Sequence, residues 1–320
     1  LTVEAINDPG LFGAPPTVLG WHPDGKRLTY LRSNGDERDL YAFDTRRGEE
    51  VLLLEGASLD LPGGRGLLHP LRSATWMRKG RQLLVPADDD VYIVDVKARS
   101  TRALVKTDTV EEFPTASPDG KRVAFARAGD LYVVDVKTGR ETRLTTTGSK
   151  TLLNGRLDWV YEEELAGRSG RAFAWAPNSR AIAYLQLDQS PIVPFPIVDF
   201  LASPNEVTWQ RYPKAGTTNS VVRLGVVSVE GRGSAGPARL VSVDENDHYI
   251  APQITWTPNS RHVVFQQLNR AQNELALRLL PVPRKGADPL GTPRTVLTER
   301  SGTFVNLLRP PRFHKKGKRF

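Results

Sequence analysis

Cysteine is absent from this 320-residue chain, which excludes disulfides and thiolate metal sites without fixing a compartment. Methionine occurs once and histidine five times, and no two histidines stand four residues apart. A histidine-based metal site is therefore not expected, and neither is any other metal or cofactor. No apolar run reaches the length of about 18 residues that a membrane-spanning helix needs, so no membrane span is expected. Helical periodicity is almost missing as well. Acid is in deficit: the net charge is +8 and the pI about 9.7. The basic residues are nevertheless dispersed through turns, and they concentrate only in the run 309–319. Solvated turn and tail charges explain that distribution, so no nucleic-acid partner is expected.

What the chain has in abundance is a repeat. Trp21-His22-Pro23-Asp24-Gly25-Lys26-Arg27 leads into Leu28-Thr29-Tyr30-Leu31, and Ala116-Ser117-Pro118-Asp119-Gly120-Lys121-Arg122 leads into Val123-Ala124-Phe125-Ala126. Trp175-Ala176-Pro177-Asn178-Ser179-Arg180 and Trp256-Thr257-Pro258-Asn259-Ser260-Arg261 are followed by similar apolar runs. Weaker copies sit at Trp76-Met77-Arg78-Lys79-Gly80-Arg81 and Phe313-His314-Lys315-Lys316-Gly317-Lys318-Arg319. Pro presets φ, and Asp-Gly or Asn-Ser tolerates the left-handed backbone of a tight turn. Leu40-Tyr41-Ala42-Phe43-Asp44, Val91-Tyr92-Ile93-Val94-Asp95 and Leu131-Tyr132-Val133-Val134-Asp135 then read as one strand in three renderings. Short strands with regular turns and recurring aromatics describe an all-β fold, a β-propeller of four-stranded antiparallel blades.

Compact blades are expected near 21–55, 71–107 and 113–147. The stretch from Gly148 to Gly231 is far longer than one blade needs, and insertions into repeats collect on a binding face. The final turn near Phe320 has no strand after it, which leads to the expectation that 1–320 is a single incomplete propeller domain. The start at Leu1, without Met, fits a leader already removed. Gly231-Arg232-Gly233-Ser234-Ala235-Gly236 matches a dinucleotide fingerprint, but strand-like sequence follows where a helix is required, so it reads as a hairpin loop. No G-x-S-x-G nucleophile elbow exists, and no catalytic machinery is visible.

Inside the long stretch lies Asp158-Trp159-Val160-Tyr161-Glu162-Glu163-Glu164, which reads as a short helix near 158–166. Adjacent acids repel one another, so the string asks for a reason. Two readings stand side by side. Asp158 caps the helix and the glutamates complement its positive end. Alternatively, the carboxylates converge on an organic cation such as a peptide α-ammonium group, which is largely protonated at neutral pH.

The string, together with Ala174-Trp175-Ala176-Pro177-Asn178-Ser179, Arg211-Tyr212-Pro213-Lys214-Ala215-Gly216 and Leu268-Asn269-Arg270-Ala271-Gln272-Asn273, resembles the N-terminal propeller region of the dipeptidyl peptidase IV family, serine exopeptidases of the prolyl oligopeptidase clan. The resemblance is continuous from about residue 150 onward. It implies an eight-bladed propeller covering an α/β-hydrolase domain, with the hydrolase domain and its Ser-Asp-His triad absent from this chain. It further implies that Glu163 and Glu164, with Glu162 just before them, hold the free N-terminus of a peptide, so that X-Pro or X-Ala dipeptides are released. An assisting Arg is part of the family pattern, but Ala87-Asp88-Asp89-Asp90 supplies none. A peptide substrate and the hydrolase domain are the implied partners, and a homodimer is compatible. Bacterial members of this family imply a periplasmic or extracellular location. A non-catalytic propeller scaffold that binds a protein or peptide is the alternative, and a G-x-S-x-G in the gene's continuation separates the two.

Overall fold

The computed structural model describes residues 2–6, 15–64, 66–229, 238–242, 248–284 and 288–314. Their secondary structure is almost entirely antiparallel sheet, with strands pairing in chain order. One four-stranded sheet runs Thr17–Trp21, Arg27–Asn34, Glu37–Asp44 and Glu49–Leu54. A second runs Thr75–Trp76, Gln82–Ala87, Asp90–Asp95 and Ser100–Val105, and a third Glu112–Ala116, Arg122–Arg127, Asp130–Asp135 and Glu141–Arg143. These are the compact blades that the repeat predicts. Two five-stranded sheets follow, built around Ala181–Asp188 and His262–Asn269. The chain divides into two compact units: residues 1–116, 120–123 and 134–139, and residues 117–119, 124–133 and 140–320.

The repeated turns share one geometry. The backbone N–H groups of Gly25, Gly80, Ser179 and Ser260 donate to the carbonyls of His22, Met77, Ala176 and Thr257 at 2.8–2.9 Å. Positive φ falls only on the second residue of each Asp-Gly or Asn-Ser pair: Gly25 at 68°, Gly120 at 71°, Ser179 at 62° and Ser260 at 58°. The Asp or Asn before it is not left-handed. Glycine adopts this backbone freely, whereas serine is disfavoured there. Hydrogen bonding accounts for the serines, because Ser179 Oγ accepts from the Asp119 N–H and Ser260 Oγ from the Asn178 N–H, each at 3.0 Å. Each hydroxyl therefore ties its own turn to the preceding copy of the repeat.

A second device recurs one residue before the strand motif, at Asp39-Leu40, Asp90-Val91 and Asp130-Leu131. All three aspartates are buried. Each accepts a backbone N–H from 17 or 18 residues further on: Asp39 from Gly56 (2.9 Å), Asp90 from Thr107 (3.1 Å) and Asp130 from Gly148 (2.9 Å). The carboxylate pins the chain as it leaves the outer strand. Asp130 carries the most: Thr145 Oγ1 (2.6 Å), Asn154 Nδ2 (3.0 Å) and the Arg143 guanidinium also donate to it.

In the first unit, Leu31, Leu40, Leu54, Leu71, Leu83 and Val94 pack as one apolar cluster. In the second, Tyr161, Leu185, Leu187, Leu224, Val263 and Phe265 belong to another. Between Ala181–Asp188 and its neighbour Val221–Ser228, the chain extrudes a two-stranded hairpin, Pro194–Asp199 against Glu206–Arg211, which bears the exposed Phe200, Leu201 and Trp209. The oversized stretch of the sequence thus resolves into one blade with two excursions, this hairpin and the acidic one. The Gly231–Gly236 motif lies outside the described residues.

Candidate functional site

The acidic string sits in a break in a sheet edge. Leu152–Asn154 pairs with the Asp188 end of Ala181–Asp188, while Phe173–Trp175 pairs with its Ile182 end. The residues between leave the edge together and return together. Hydrogen bonds close the neck: Leu157 N–H to Gly170 O (2.9 Å), Ala172 N–H to Gly155 O (3.0 Å) and Gly155 N–H to Leu185 O (2.9 Å). This excursion holds the helical turn Tyr161–Leu165, whose hydrogen bonding is of the wide π type. Such turns occur singly and need outside support.

That support comes from one side. The buried carboxyl of Asp158 accepts the Tyr161 N–H at 2.9 Å and also the Ser220 hydroxyl. Burial pushes Asp158 above the usual carboxylate range, and the bonds from Ser220, Tyr161 and Val160 only partly oppose it. Tyr161 is 1% exposed, its ring centroid 6.0 Å from that of Tyr249. Burial also raises its phenol well above the ordinary tyrosine value. The hydroxyl faces the Ile250 backbone but forms no hydrogen bond of good geometry. Gln253 Nε2 donates to Leu165 O at 3.1 Å, and Trp159 lies 4.5 Å from Tyr212, ring to ring. Tyr212 also lines an apolar hollow of about 390 Å³ with Pro191, Phe195 and Lys214.

The glutamates stand on the other side of the turn. Glu163 and Glu164 are exposed, and Glu162 is partly so. The Arg168 Nε lies 3.4 Å from Glu163 Oε2, in a pair whose side chains are 82% and 34% exposed. An ion pair this open is weak and readily exchanged. It is positioned by Gly167 and Arg168, both at positive φ (58° and 67°), which fold the chain back over the turn. Among the described residues Glu164 has no hydrogen bond or ion pair. Asp158 thus acts as the cap that the sequence suggests, and the exposed Glu163 and Glu164 follow on the turn with one exposed arginine beside Glu163. Such a group suits an ammonium ion.

The loop 87–90 is a tight turn with Asp88 and Asp89 at positive φ. Gly167-Arg168-Ser169-Gly170 is the return limb of the acidic excursion. No three His, Asp or Glu side chains are grouped to hold a metal ion among the described residues. No helix among them is long and apolar enough to cross a membrane.

Four-stranded antiparallel blades, repeated with this turn chemistry, define a β-propeller protein, and an acidic helical turn is set into one of its blades. Residues 77–320 match the family described as dipeptidyl peptidase IV (DPP IV) N-terminal region, and the chain belongs to that family. It is 27% identical to a "Probable dipeptidyl-aminopeptidase B" of Talaromyces marneffei, over 89% of this chain and 35% of that protein. It is 29% identical to dipeptidyl peptidase 4 of Bos taurus, over 74% of this chain and 32% of that one. The fold matches the crystal structure of Porphyromonas gingivalis dipeptidyl peptidase 4 with a TM-score of 0.78 at 23% identity, covering 95% of this chain and 43% of that one. The chain spans about a third of the length of the curated relatives it matches, 35% in the case of the Talaromyces protein.

Proposed function

We propose that this chain is the substrate-gating part of a serine dipeptidyl aminopeptidase, and that Glu163 and Glu164 hold the α-ammonium group of a peptide substrate. The observation that carries the reading is the pair of adjacent exposed carboxylates on a braced turn, of which, among the described residues, Glu163 meets one exposed arginine and Glu164 none. Family membership supports the enzyme class. In this reading the chain supplies propeller blades, and an α/β-hydrolase domain elsewhere in the protein supplies the nucleophile. Clamping the terminus fixes how many residues reach that nucleophile, so the product is a dipeptide, preferentially X-Pro or X-Ala.

Mechanistically, the turn contributes charge and position, not bond making. An ammonium ion arriving at Glu164 meets a carboxylate that, among the described residues, has no other donor to release. At Glu163 it displaces Arg168, whose charge solvent readily takes up. The test uses the full-length protein and an X-Pro chromogenic substrate, comparing wild type with Glu163→Ala and Glu164→Ala. Loss of a hydrogen bond to a charged group costs about 1.5–3 kcal/mol, so kcat/KM should fall roughly 10- to 150-fold for each. The N-acetylated substrate carries no ammonium ion and should be cleaved poorly and equally by all three. Unchanged kcat/KM on the free amine would sink the assignment.

A further inference from the structure

Glu163 and Glu164 act as a pair only while the turn beneath them keeps its shape, and a five-residue π-type turn has little cohesion of its own. Within the excursion, the Glu162 N–H donates to Asp158 O (3.0 Å) and the Arg168 N–H to Glu162 O (2.9 Å). Further restraint comes from outside, in two forms. Tyr161, Leu165 and Ala166 pack against one apolar core, which anchors the turn. Apolar burial has no direction, however, so it does not decide how the turn is rotated about its anchors. Hydrogen bonds do have direction. Ser220, through Asp158, supplies one at the leading end. Gln253 supplies another at the trailing end, where its Nε2 donates to Leu165 O at 3.1 Å. Leu165 directly follows Glu164.

Gln253 is itself firmly placed. The Ala251 N–H donates to Gln266 O and the Ile254 N–H to Pro252 O, each at 2.9 Å, and Ile254 is buried in the same apolar core. The Trp256 indole N–H donates to Ala174 O at 3.1 Å, which joins this segment to the sheet from which the acidic excursion leaves. The orientation of the side-chain amide follows from its partner: a carbonyl accepts only from a donor, so Nε2 and not Oε1 faces Leu165. Oε1 is sealed from solvent and, among the described residues, accepts no hydrogen bond. A buried acceptor without a donor is destabilising. Methionine would fill a similar volume without that penalty, so packing does not explain a glutamine at this position. A residue that breaks a local rule in this way marks a functional constraint. What glutamine supplies in return is the bond to Leu165.

We propose that Gln253 is a positioning residue for the ammonium clamp: by holding the Leu165 carbonyl it sets the direction of Glu164 and, through the turn, that of Glu163. This role rests on the reading of the two glutamates as ammonium ligands. Without the bond the turn is free to tighten toward ordinary α geometry, which redirects both carboxylates while their charge and exposure stay the same. The loss should then fall on capture of the substrate and not on bond cleavage, which takes place elsewhere.

The test uses the full-length protein with the X-Pro chromogenic substrate in free-amine and N-acetylated forms. Gln253→Met removes the donor and the orphaned oxygen together, and Gln253→Glu keeps the shape with an oxygen in place of the donor. For both variants KM on the free amine should rise about tenfold with kcat within about twofold, the pattern of lost ground-state binding. Cleavage of the N-acetylated substrate should not change, and Gln253→Met should melt at or above the wild-type temperature. The decisive arm places Gln253→Met in a Glu163→Ala, Glu164→Ala background. A residue that acts through the glutamates has nothing left to position there, so kcat/KM should change by less than about twofold. A full loss persisting in that background, or parallel losses on both substrates with a lowered melting temperature, would make Gln253 a general structural residue and overturn the proposal. Unchanged KM in both Gln253 variants, while Glu163→Ala and Glu164→Ala lose theirs, would overturn this inference alone. Unchanged kcat/KM in the glutamate variants would remove the reading on which it rests as well.

Discussion

Asp130 and the pair Glu163–Glu164 are carboxylates of one molecule, and the fold treats them in opposite ways. Asp130 is 0% exposed and surrounded by donors: a threonine hydroxyl, an asparagine amide, a backbone N–H and an arginine. The glutamates are exposed, and a single solvent-facing arginine reaches one of them. A buried charge without partners is intolerable, so every oxygen of Asp130 is occupied from within. An exposed carboxylate is held by water, and water is replaceable. What separates a structural acid from one available to a ligand is therefore the supply of donors around it, since the residue type is nearly the same.

The strongest way to break that contrast is to remove Asp130. Asp130→Ala leaves the Thr145 hydroxyl and the Gly148 N–H without an acceptor and removes the carboxylate from Arg143. It should destabilise the protein by about 3–5 kcal/mol, the range for breaking a buried charged network from one side. Chemical denaturation reads this directly, and a loss under about 1 kcal/mol would mean that the network is dispensable. Glu164→Ala is the converse case. It should leave stability within about 0.5 kcal/mol, as surface changes do, while kcat/KM falls by the factor given above. A variant that loses stability and activity in proportion would return the glutamates to a structural role.

Asp158 lies between the extremes, being buried like Asp130 yet adjoining the acidic turn. Asp158→Ala removes the cap on Tyr161 and the partner of Ser220 and should cost about 0.5–2 kcal/mol. Asp158→Asn retains a capping oxygen without the charge. Because burial raises the folded carboxyl above its unfolded value, the stability it contributes is fully present below that unfolded value. It is lost as pH rises through the folded one. The difference between Asp158→Asn and wild type should therefore move in favour of the variant as pH rises above the ordinary carboxylate value of 3.8. A flat difference would show that the bonds from Ser220 and Tyr161 fully compensate the charge.

Much of this is legible in the chain, though unevenly. Pro-Asp-Gly and Pro-Asn-Ser announce the turns because proline and glycine act on their own dihedrals, and the blades follow from them. Glu163 and Glu164 are conspicuous because three adjacent acids serve no packing purpose. Asp39, Asp90 and Asp130 stand just ahead of the motif that the repeat reveals, yet nothing local marks them as buried. The backbone N–H that each one accepts lies 17 or 18 residues away. The serines at left-handed φ are opaque for the same reason: Ser179 and Ser260 are selected by hydroxyl contacts to another copy of the turn. Sequence reports what a residue does to its own backbone and is silent on which distant group completes it.

The smallest expected effect concerns a carboxylate whose donor can itself titrate. Glu37 Oε2 lies 3.1 Å from His69 Nε2, and the Leu71 N–H donates to His69 Nδ1 at 3.3 Å. The second bond requires a bare Nδ1, so the neutral ring carries its proton on Nε2 and donates to Glu37. Protonating Nδ1 would strengthen the pairing with Glu37 but break the bond from Leu71 and place a charge in a buried site. Burial dominates, and the folded His69 titrates below its ordinary value of 6.5 despite Glu37. A base whose folded value is lowered stabilises fully above its unfolded pKa and loses that contribution as pH falls through and below about 6.5. His69→Asn keeps an acceptor for Leu71 and cannot take up the proton. Wild type should therefore lose more stability than His69→Asn between pH 7.5 and 5.5, while His262 titrates in both and cancels. If wild type instead gained on acidification, Glu37 would outweigh burial, and a carboxylate with one titratable donor would behave like the saturated Asp130.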